Sequence, residues 1–138
     1  MSNAEHHFLD NQPKSFAKTI DENAYSSIVD LVEQSYKKFA ERPAFSSFGQ
    51  VLSYAEIERK SGYVAAYLQT DLGLKKGDRV ALMSPNIMAF PVAMLGILKA
   101  GLVQVNVNPL YTPRELTHQL NDADTDTIII YGGVTDTL

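Results

Sequence analysis

The chain has 138 residues, of which 45% are hydrophobic and 20% are charged, and its net charge at pH 7 is -4. This composition is that of one globular domain or part of a larger one, and its negative charge excludes a general attraction to nucleic acid or to anionic lipid. The absence of cysteine excludes disulfides, thiolate zinc sites and a cysteine nucleophile, and is consistent with a cytosolic protein.

The first 25 residues are polar and lack hydrophobic periodicity. They are predicted to form an arm that drapes over the domain or is partly disordered. His6 and His7 are adjacent, so they cannot share the i, i+4 helix face that many metal sites use, and we interpret them as a solvated pair. The folded domain is therefore predicted to begin at residue 26.

Residues 26–72 predict a helix, a β-hairpin and a second helix. Ser27 and Asp30 mark the start of the first helix, and Gly49 at the first central position favours a type II′ hairpin turn. Ser53 and Glu56 have capping-box spacing and predict the start of the second helix. The predicted buried stripe of the first helix is Ile28, Leu31, Val32, Ser35 and Phe39.

Residues 79–131 predict a βαβαβ unit, with strands at 79–83, 103–107 and 127–131. Helices are predicted at 87–100 and 113–121, because apolar residues recur there at helical spacing. Side-chain oxygens of residues 84–86 could cap the first of these helices, and Gly101 is predicted to end it. Since a strand, a crossover helix and a second strand pair in parallel, the chain is predicted to be an α/β protein.

No pattern of residues in the sequence indicates a catalytic or metal site. Gly132 and Gly133 follow a strand but lack phosphate-loop spacing, so a plain turn is the preferred interpretation. His118 is interpreted as a solvated or capping histidine one helical turn from Arg114. Two further charged clusters are interpreted in the same way. The aspartates of the first are interpreted as turn-forming residues and the lysines of the second as a solvated loop: Asp122, Asp124 and Asp126, and Lys75 and Lys76.

Four blocks of sequence resemble the acyl-adenylate-forming superfamily, which includes acyl-CoA synthetases, luciferases and peptide-synthetase adenylation domains. Residues 52–57 (LSYAEI) resemble its first core motif, and the stretch from LKAG at 98–101 to Pro109 resembles its second. Residues 77–82 (GDRVAL) between them are also typical. Residues 106–116 (NVNPLYTPREL) look like bacterial long-chain fatty-acyl-CoA synthetases in particular.

The resemblance implies that residues 26–138 are part of the large N-terminal, AMP-binding domain of such an enzyme. The parent would join a fatty acid to CoA with ATP and Mg²⁺, releasing AMP and diphosphate. The family's phosphate loop, ribose-binding acid, magnesium carboxylate and catalytic lysine lie further downstream, so the chain is expected to be an inactive N-terminal piece that carries no site residues and binds no cofactor. A cytoplasmic location is implied, and a peripheral contact of the parent with the inner membrane is left open.

Two alternatives remain from the sequence. The chain could come from another acyl- or aryl-CoA ligase or adenylation enzyme, because the acyl pocket that would decide lies outside it. It could instead be a stand-alone α/β binding module. No nucleic-acid partner is expected, and self-association is expected if apolar surface is left uncovered.

Overall fold

The structure is a computed structural model that describes residue 13 and residues 20–138. The predicted arm, including His6 and His7, therefore lies mostly outside the described residues. The described elements, in chain order, are α1 (Ile28–Phe39), β1 (Pro43–Ser47), β2 (Gln50–Ser53), α2 (Tyr54–Thr70), β3 (Arg79–Met83), α3 (Ala89–Lys99), β4 (Val103–Val107), α4 (Pro113–Asp122), β5 (Ile128–Ile130) and a final 3₁₀ helix (Gly132–Thr137).

Strands β3, β4 and β5 form one parallel sheet in the order β4-β3-β5. Arg79 pairs with Val103 at the start of the β3–β4 ladder, and Met83 pairs with Val107 at its end. On the other side of β3, Met83 pairs with Ile130. The predicted α/β class and the parallel βαβαβ unit are therefore confirmed.

The helices cover the sheet on both faces. Val80 and Leu82 pack on one face against a cluster supplied by α2 and α3, which includes Leu68 and Ile97. Ala81 and Met83 point to the opposite face, where Leu116 of α4 joins them. Because alternate residues of a strand point to opposite faces, β3 is buried on both, as its continuous apolar run predicts.

The predicted C-terminal end of α3 is confirmed, and its predicted N-terminal cap is corrected. Gly101 has φ +79°, and the Leu102 N–H donates to the Ile97 carbonyl while the Gly101 N–H donates to that of Leu98. These two bonds form the Schellman motif that a C′ glycine allows. The predicted cap at residues 84–86 is wrong, because the helix begins after Met88 without a side-chain cap.

The buried face of α1 differs from its predicted stripe. Tyr36 is only 2% exposed, whereas Ile28 is 64% exposed and Leu31 is 40% exposed. Tyr36 packs with Ile57 of α2 and Leu95 of α3, and Val32 of the predicted stripe packs against the same cluster. The exposed part of the predicted stripe is therefore at the start of α1. The helical period marked an apolar face, but the position of α2 and α3 decided which part of that face is covered.

The hairpin is present, but its turn is shifted by one residue. Ser47 pairs with Gln50, so the two loop residues are Phe48 and Gly49. Both have positive φ, +48° and +77°, which defines a type I′ turn and not the predicted type II′. The type I′ turn matches the right-handed twist of the flanking strands equally well.

Candidate functional site

Ligands of open α/β sheets bind outside the carboxyl ends of the strands, at a point where the strand order reverses. The order β4-β3-β5 places such an edge after Met83, Val107 and Ile130. The segments that follow, residues 84–88, 108–112 and 131–135, contain no charged residue. The carboxyl edge of the described sheet is therefore neutral.

Polar groups at this edge are used in local turns. The Asn108 Oδ1 atom accepts a hydrogen bond of 3.0 Å from the Leu110 N–H, and the Ser84 hydroxyl donates to a neighbouring carbonyl. The Tyr131 N–H donates to the Met83 carbonyl at 2.9 Å and extends the β3–β5 ladder. These bonds lie within the edge itself and fix the shape of its turns.

Gly132 and Gly133 start the final 3₁₀ helix. A Cβ atom on Gly133 would lie 2.5 Å from the Cε1 atom of the Tyr131 ring, whereas a Cβ atom on Gly132 would meet nothing within 4 Å. Because Tyr131 is 43% exposed, its ring could turn aside, and neither glycine is required by its surroundings. This geometry agrees with the interpretation of the pair as a turn.

Arg114 and His118 lie together on the outer face of α4, as their i, i+4 spacing predicts. With Tyr111 they line an open depression of about 570 Å³, whose other lining residues are Glu115, Gln119 and Asp122. The Gln119 Nε2 atom donates to the Asn106 carbonyl at 2.8 Å and ties α4 to β4. Because acidic and basic groups alternate along this depression, it selects neither an anion nor a cation.

Asp122 is the last residue of α4, and of the two aspartates that follow it Asp124 makes a structural contact that sequence reasoning missed. The Asp124 carboxylate lies 2.6 Å from the Arg79 guanidinium, whose Nε atom also donates to the Asp124 carbonyl at 2.8 Å. Asp124 has φ +49°, and Thr125 beside it donates its hydroxyl to the Arg79 carbonyl. Within the part of the chain that the structure describes, no group of His, Asp and Glu side chains is suited to a metal ion.

Lys75 and Lys76 are in the loop that leads into β3. The Lys75 N–H donates to the Asp78 carboxylate at 2.7 Å. A Cβ atom at Gly101 would lie 3.5 Å from the Cγ atom of Lys76, so this side chain runs along the end of α3. Both lysines are exposed in this loop, as their interpretation as solvated residues predicts.

The capping box of α4 is confirmed. The Glu115 carboxylate accepts from the Thr112 N–H and from the Thr112 hydroxyl, each at 2.8 Å, and the Glu115 N–H donates to that hydroxyl at 3.4 Å. These bonds to the ionised form hold the pKa of the Glu115 carboxyl below its ordinary value. A matching box joins Ser53 and Glu56 at the start of α2.

Replacing Thr112 by Ala should raise the pKa of Glu115 and lower the stability by about 1 kcal/mol through loss of the helix cap. A carboxyl group with a depressed pKa in the folded state stabilises above its unfolded pKa and loses this effect as the pH falls through its folded value. Carboxyl NMR titration should show the higher pKa, and urea melts should show a smaller difference from wild type at pH 3 than at pH 7. Thr112→Ser keeps the hydroxyl and serves as the control. An unchanged Glu115 pKa in Thr112→Ala would contradict the assignment.

Comparison with known proteins places this fold in a recognised group. The family model described as AMP-binding enzyme matches residues 32–137. The chain is 50% identical over 131 residues to a long-chain-fatty-acid–CoA ligase of Escherichia coli O157:H7 and 46% identical to that of Yersinia pestis. Each match includes 95% of this chain but only 23% of the relative's length.

Solved structures agree with the sequence comparison. A benzoate CoA ligase from Burkholderia xenovorans LB400 matches 80% of the chain, at 28% identity and a TM-score of 0.74. An anthranilate CoA ligase in complex with anthranoyl-AMP matches 94% of the chain with a TM-score of 0.77, and at 20% identity it shows the fold alone. Each match covers less than a quarter of the solved chain, 22% and 23%. The described fold is thus shared with a small part of much larger enzymes.

Proposed function

Because the chain belongs to the AMP-binding enzyme family, we propose that it is the N-terminal portion of a long-chain fatty acid–CoA ligase. The observation that carries this proposal is the 50% identity over 95% of the chain to relatives with that name. The identity to the benzoate CoA ligase is lower, at 28%. The fatty-acyl branch of the family is therefore favoured over the aryl branch.

The proposed reaction of the parent has two steps. The carboxylate oxygen of the fatty acid attacks the α-phosphorus of ATP, and diphosphate leaves to give an acyl-adenylate. The thiolate of CoA then attacks the acyl carbon, a thioester forms, and AMP leaves. Both steps develop negative charge on phosphate oxygens or at the carbonyl, and this charge requires fixed donors near the reacting atoms.

The described residues do not fit a Mg²⁺ site. Asp124 is paired with Arg79, and the described part of the chain has no cluster of carboxylates suited to an ion. Mg²⁺ prefers carboxylate and phosphate oxygens with several waters. In this proposal, Mg²⁺ binding and catalysis belong to the greater part of the relatives' length, which the chain does not span.

The proposed contribution of this chain is structural. Its sheet, covered on both faces, would provide a rigid support whose neutral carboxyl edge faces the functional groups of the rest of the enzyme. The motifs that resemble the family have a local structural role, since LSYAEI contains the capping box of α2 and LKAG contains the Schellman motif of α3. The proposed location is the cytoplasm, with peripheral contact between the parent and the membrane.

The isolated chain should bind no ATP and should self-associate. Its sheet edge has no charged group to hold a triphosphate, and Val103 on the outer strand β4 is 48% exposed beside an edge that no other described strand pairs with. Calorimetric titration with Mg²⁺-ATP should show no heat of binding, and light scattering should show a mass that grows with concentration. Micromolar ATP binding by a monomer would refute the assignment of nucleotide binding to the rest of the enzyme.

A substrate panel tests the activity of the parent. The intact protein should form palmitoyl-CoA from palmitate, ATP and CoA at a kcat/KM at least tenfold above that for benzoate. The matched folds of benzoate and anthranilate CoA ligases make an aryl acid the second candidate. Preference for benzoate would transfer the assignment to that branch.

A further inference from the structure

Strand β4 lies on the outside of the parallel sheet, and no other described strand pairs with its outer edge. The Val103 N–H donates at 2.8 Å to the carbonyl of the residue that precedes β3, so the backbone groups of Val103 face β3. Because the backbone groups of successive residues in a strand point to opposite sides, those of Gln104 and Asn106 point away from β3. Two residues of β4 therefore direct their N–H and carbonyl groups toward a further strand.

The outer edge of β4 lacks the features that usually keep the strands of separate molecules apart. Such features are charged side chains, proline residues, bulges and a covering loop or helix. The strand contains neither a charged residue nor a proline, and all five of its residues pair with β3 in an unbroken register. Val103 at its start is 48% exposed. The edge is thus regular and uncharged, which favours pairing with another strand.

The sequence of β4 is chemically the same in both directions. VQVNV has an amide side chain on each side of the central Val105 and a valine at each end. If two such strands pair antiparallel about Val105, Gln104 lies opposite Asn106 of the second copy. Val103 then lies opposite Val107 of that copy. The outward groups of Gln104 and Asn106 form the hydrogen-bonded pairs, and the valines form the closer pairs between them. The strand is therefore complementary to itself.

The amide groups at this edge have capacity for further hydrogen bonds. The Gln104 Nε2 atom donates to the Asn106 Oδ1 atom at 2.7 Å, but the Gln104 Oε1 atom is buried without a partner among the described residues. Antiparallel pairing would place the Asn106 amide of the second copy opposite Gln104, as a further donor beside that side chain. The Asn106 carbonyl accepts from the Gln119 Nε2 atom at 2.8 Å, and its second lone pair can accept a backbone N–H.

We propose that two copies of this chain associate through β4, as an antiparallel strand pair with a two-fold axis at Val105 that joins the two sheets into one. Both copies use the same edge, so the association closes and stops at a dimer. The contact is short, and we expect a dissociation constant on the order of 100 μM. This inference concerns assembly and does not depend on the proposed function.

The first test uses the wild-type sequence. Sedimentation equilibrium of the 138-residue chain should give a mass that rises with concentration and levels off at twice that of the monomer. NMR hydrogen exchange should show that the N–H groups of Gln104 and Asn106 become protected as the dimer forms. The N–H of Val105 should be protected at every concentration, because it faces β3. Sedimentation and deuterium exchange of the intact ligase should likewise show a dimer with a protected β4.

The second test reads the register with charges. Gln104→Lys combined with Asn106→Lys places like charges opposite each other and should weaken the dimer at least roughly tenfold. The matched control is Gln104→Lys combined with Asn106→Glu, which places opposite charges at the same positions. It should dimerise roughly threefold to tenfold more tightly than wild type, and added salt should remove this gain. Circular dichroism of dilute samples checks that both variants are folded.

Several results would overturn the proposal. They are a chain that stays monomeric at millimolar concentration, a mass that grows beyond that of a dimer, and a doubly lysine-substituted variant that dimerises like wild type. A monomeric intact ligase with a protected β4 would also overturn it, because another strand of that enzyme then covers the edge. If the charged variants do not fold, exchange in the wild-type dimer decides, since unprotected N–H groups at Gln104 and Asn106 would refute pairing through β4.

Discussion

Gly96→Ala should destabilise the protein by about 2 kcal/mol or more. A Cβ atom at Gly96 would lie 2.6 Å from both the Cβ and Cγ1 atoms of Val64 and 3.1 Å from the Ser61 carbonyl oxygen. Because Val64 Cβ and the Ser61 backbone belong to α2, relief requires α2 and α3 to move apart, and overpacking of this kind typically costs 1–3 kcal/mol. Urea unfolding followed by circular dichroism should show the midpoint falling while the slope stays unchanged.

Gly62→Ala is the matched control. Gly62 also lies within a helix, but a Cβ atom there would meet nothing within 4 Å. Since Ala is a better helix former than Gly, this variant should gain about 0.5–1 kcal/mol. Equal effects of the two substitutions would contradict close contact between α2 and α3 at Gly96.

Ile57→Ala should have the second large effect, a loss of roughly 2–5 kcal/mol. Ile57 is fully buried and packs with Tyr36 and Leu95, at the place where α1, α2 and α3 meet. Truncation would remove apolar contacts and leave a cavity that this junction of three helices cannot easily close. Thermal and urea melts of the full chain should both record the loss.

Ile28→Ala makes the same chemical change on α1 and is its control. Ile28 is 64% exposed, so the variant should stay within about 0.5 kcal/mol of wild type. A loss at Ile28 comparable to that at Ile57 would mean that the N-terminal half of α1 is covered in solution, as the helical period alone had predicted.

Helix starts and ends were predicted best where a few neighbouring residues are sufficient. Ser53 with Glu56, and Thr112 with Pro113 and Glu115, satisfy free backbone groups within one turn, and both boxes are present. The cap predicted at residues 84–86 failed because the helix begins only after Met88, beyond the position where these side chains could act as its N-cap. A capping motif is thus predictive when its side chain stands directly at the start of the helix.

The candidate site was predictable only in part. Residue types indicated that Gly132 and Gly133 form a turn, but the position of the Tyr131 ring against Gly133 became visible only in the fold. The contact between Arg79 and Asp124 spans 45 residues, so no local pattern could reveal it. Residue spacing did place Arg114 and His118 on one helix face, yet the mixed charge of their surroundings depends on the side chains that line the same depression.

The sequence by itself determined the α/β class, the parallel unit and the family, because strand runs, helix caps and core motifs are local patterns with local causes. Only the tertiary structure decided which apolar residues are buried, as Tyr36 and Ile28 on one helix show. It also decided that Gly96 is a contact between helices and that Phe48 is strained at the hairpin tip. Burial and close approach depend on which other helix or strand packs against a residue. The periodicity within one element contains no information about that neighbouring element.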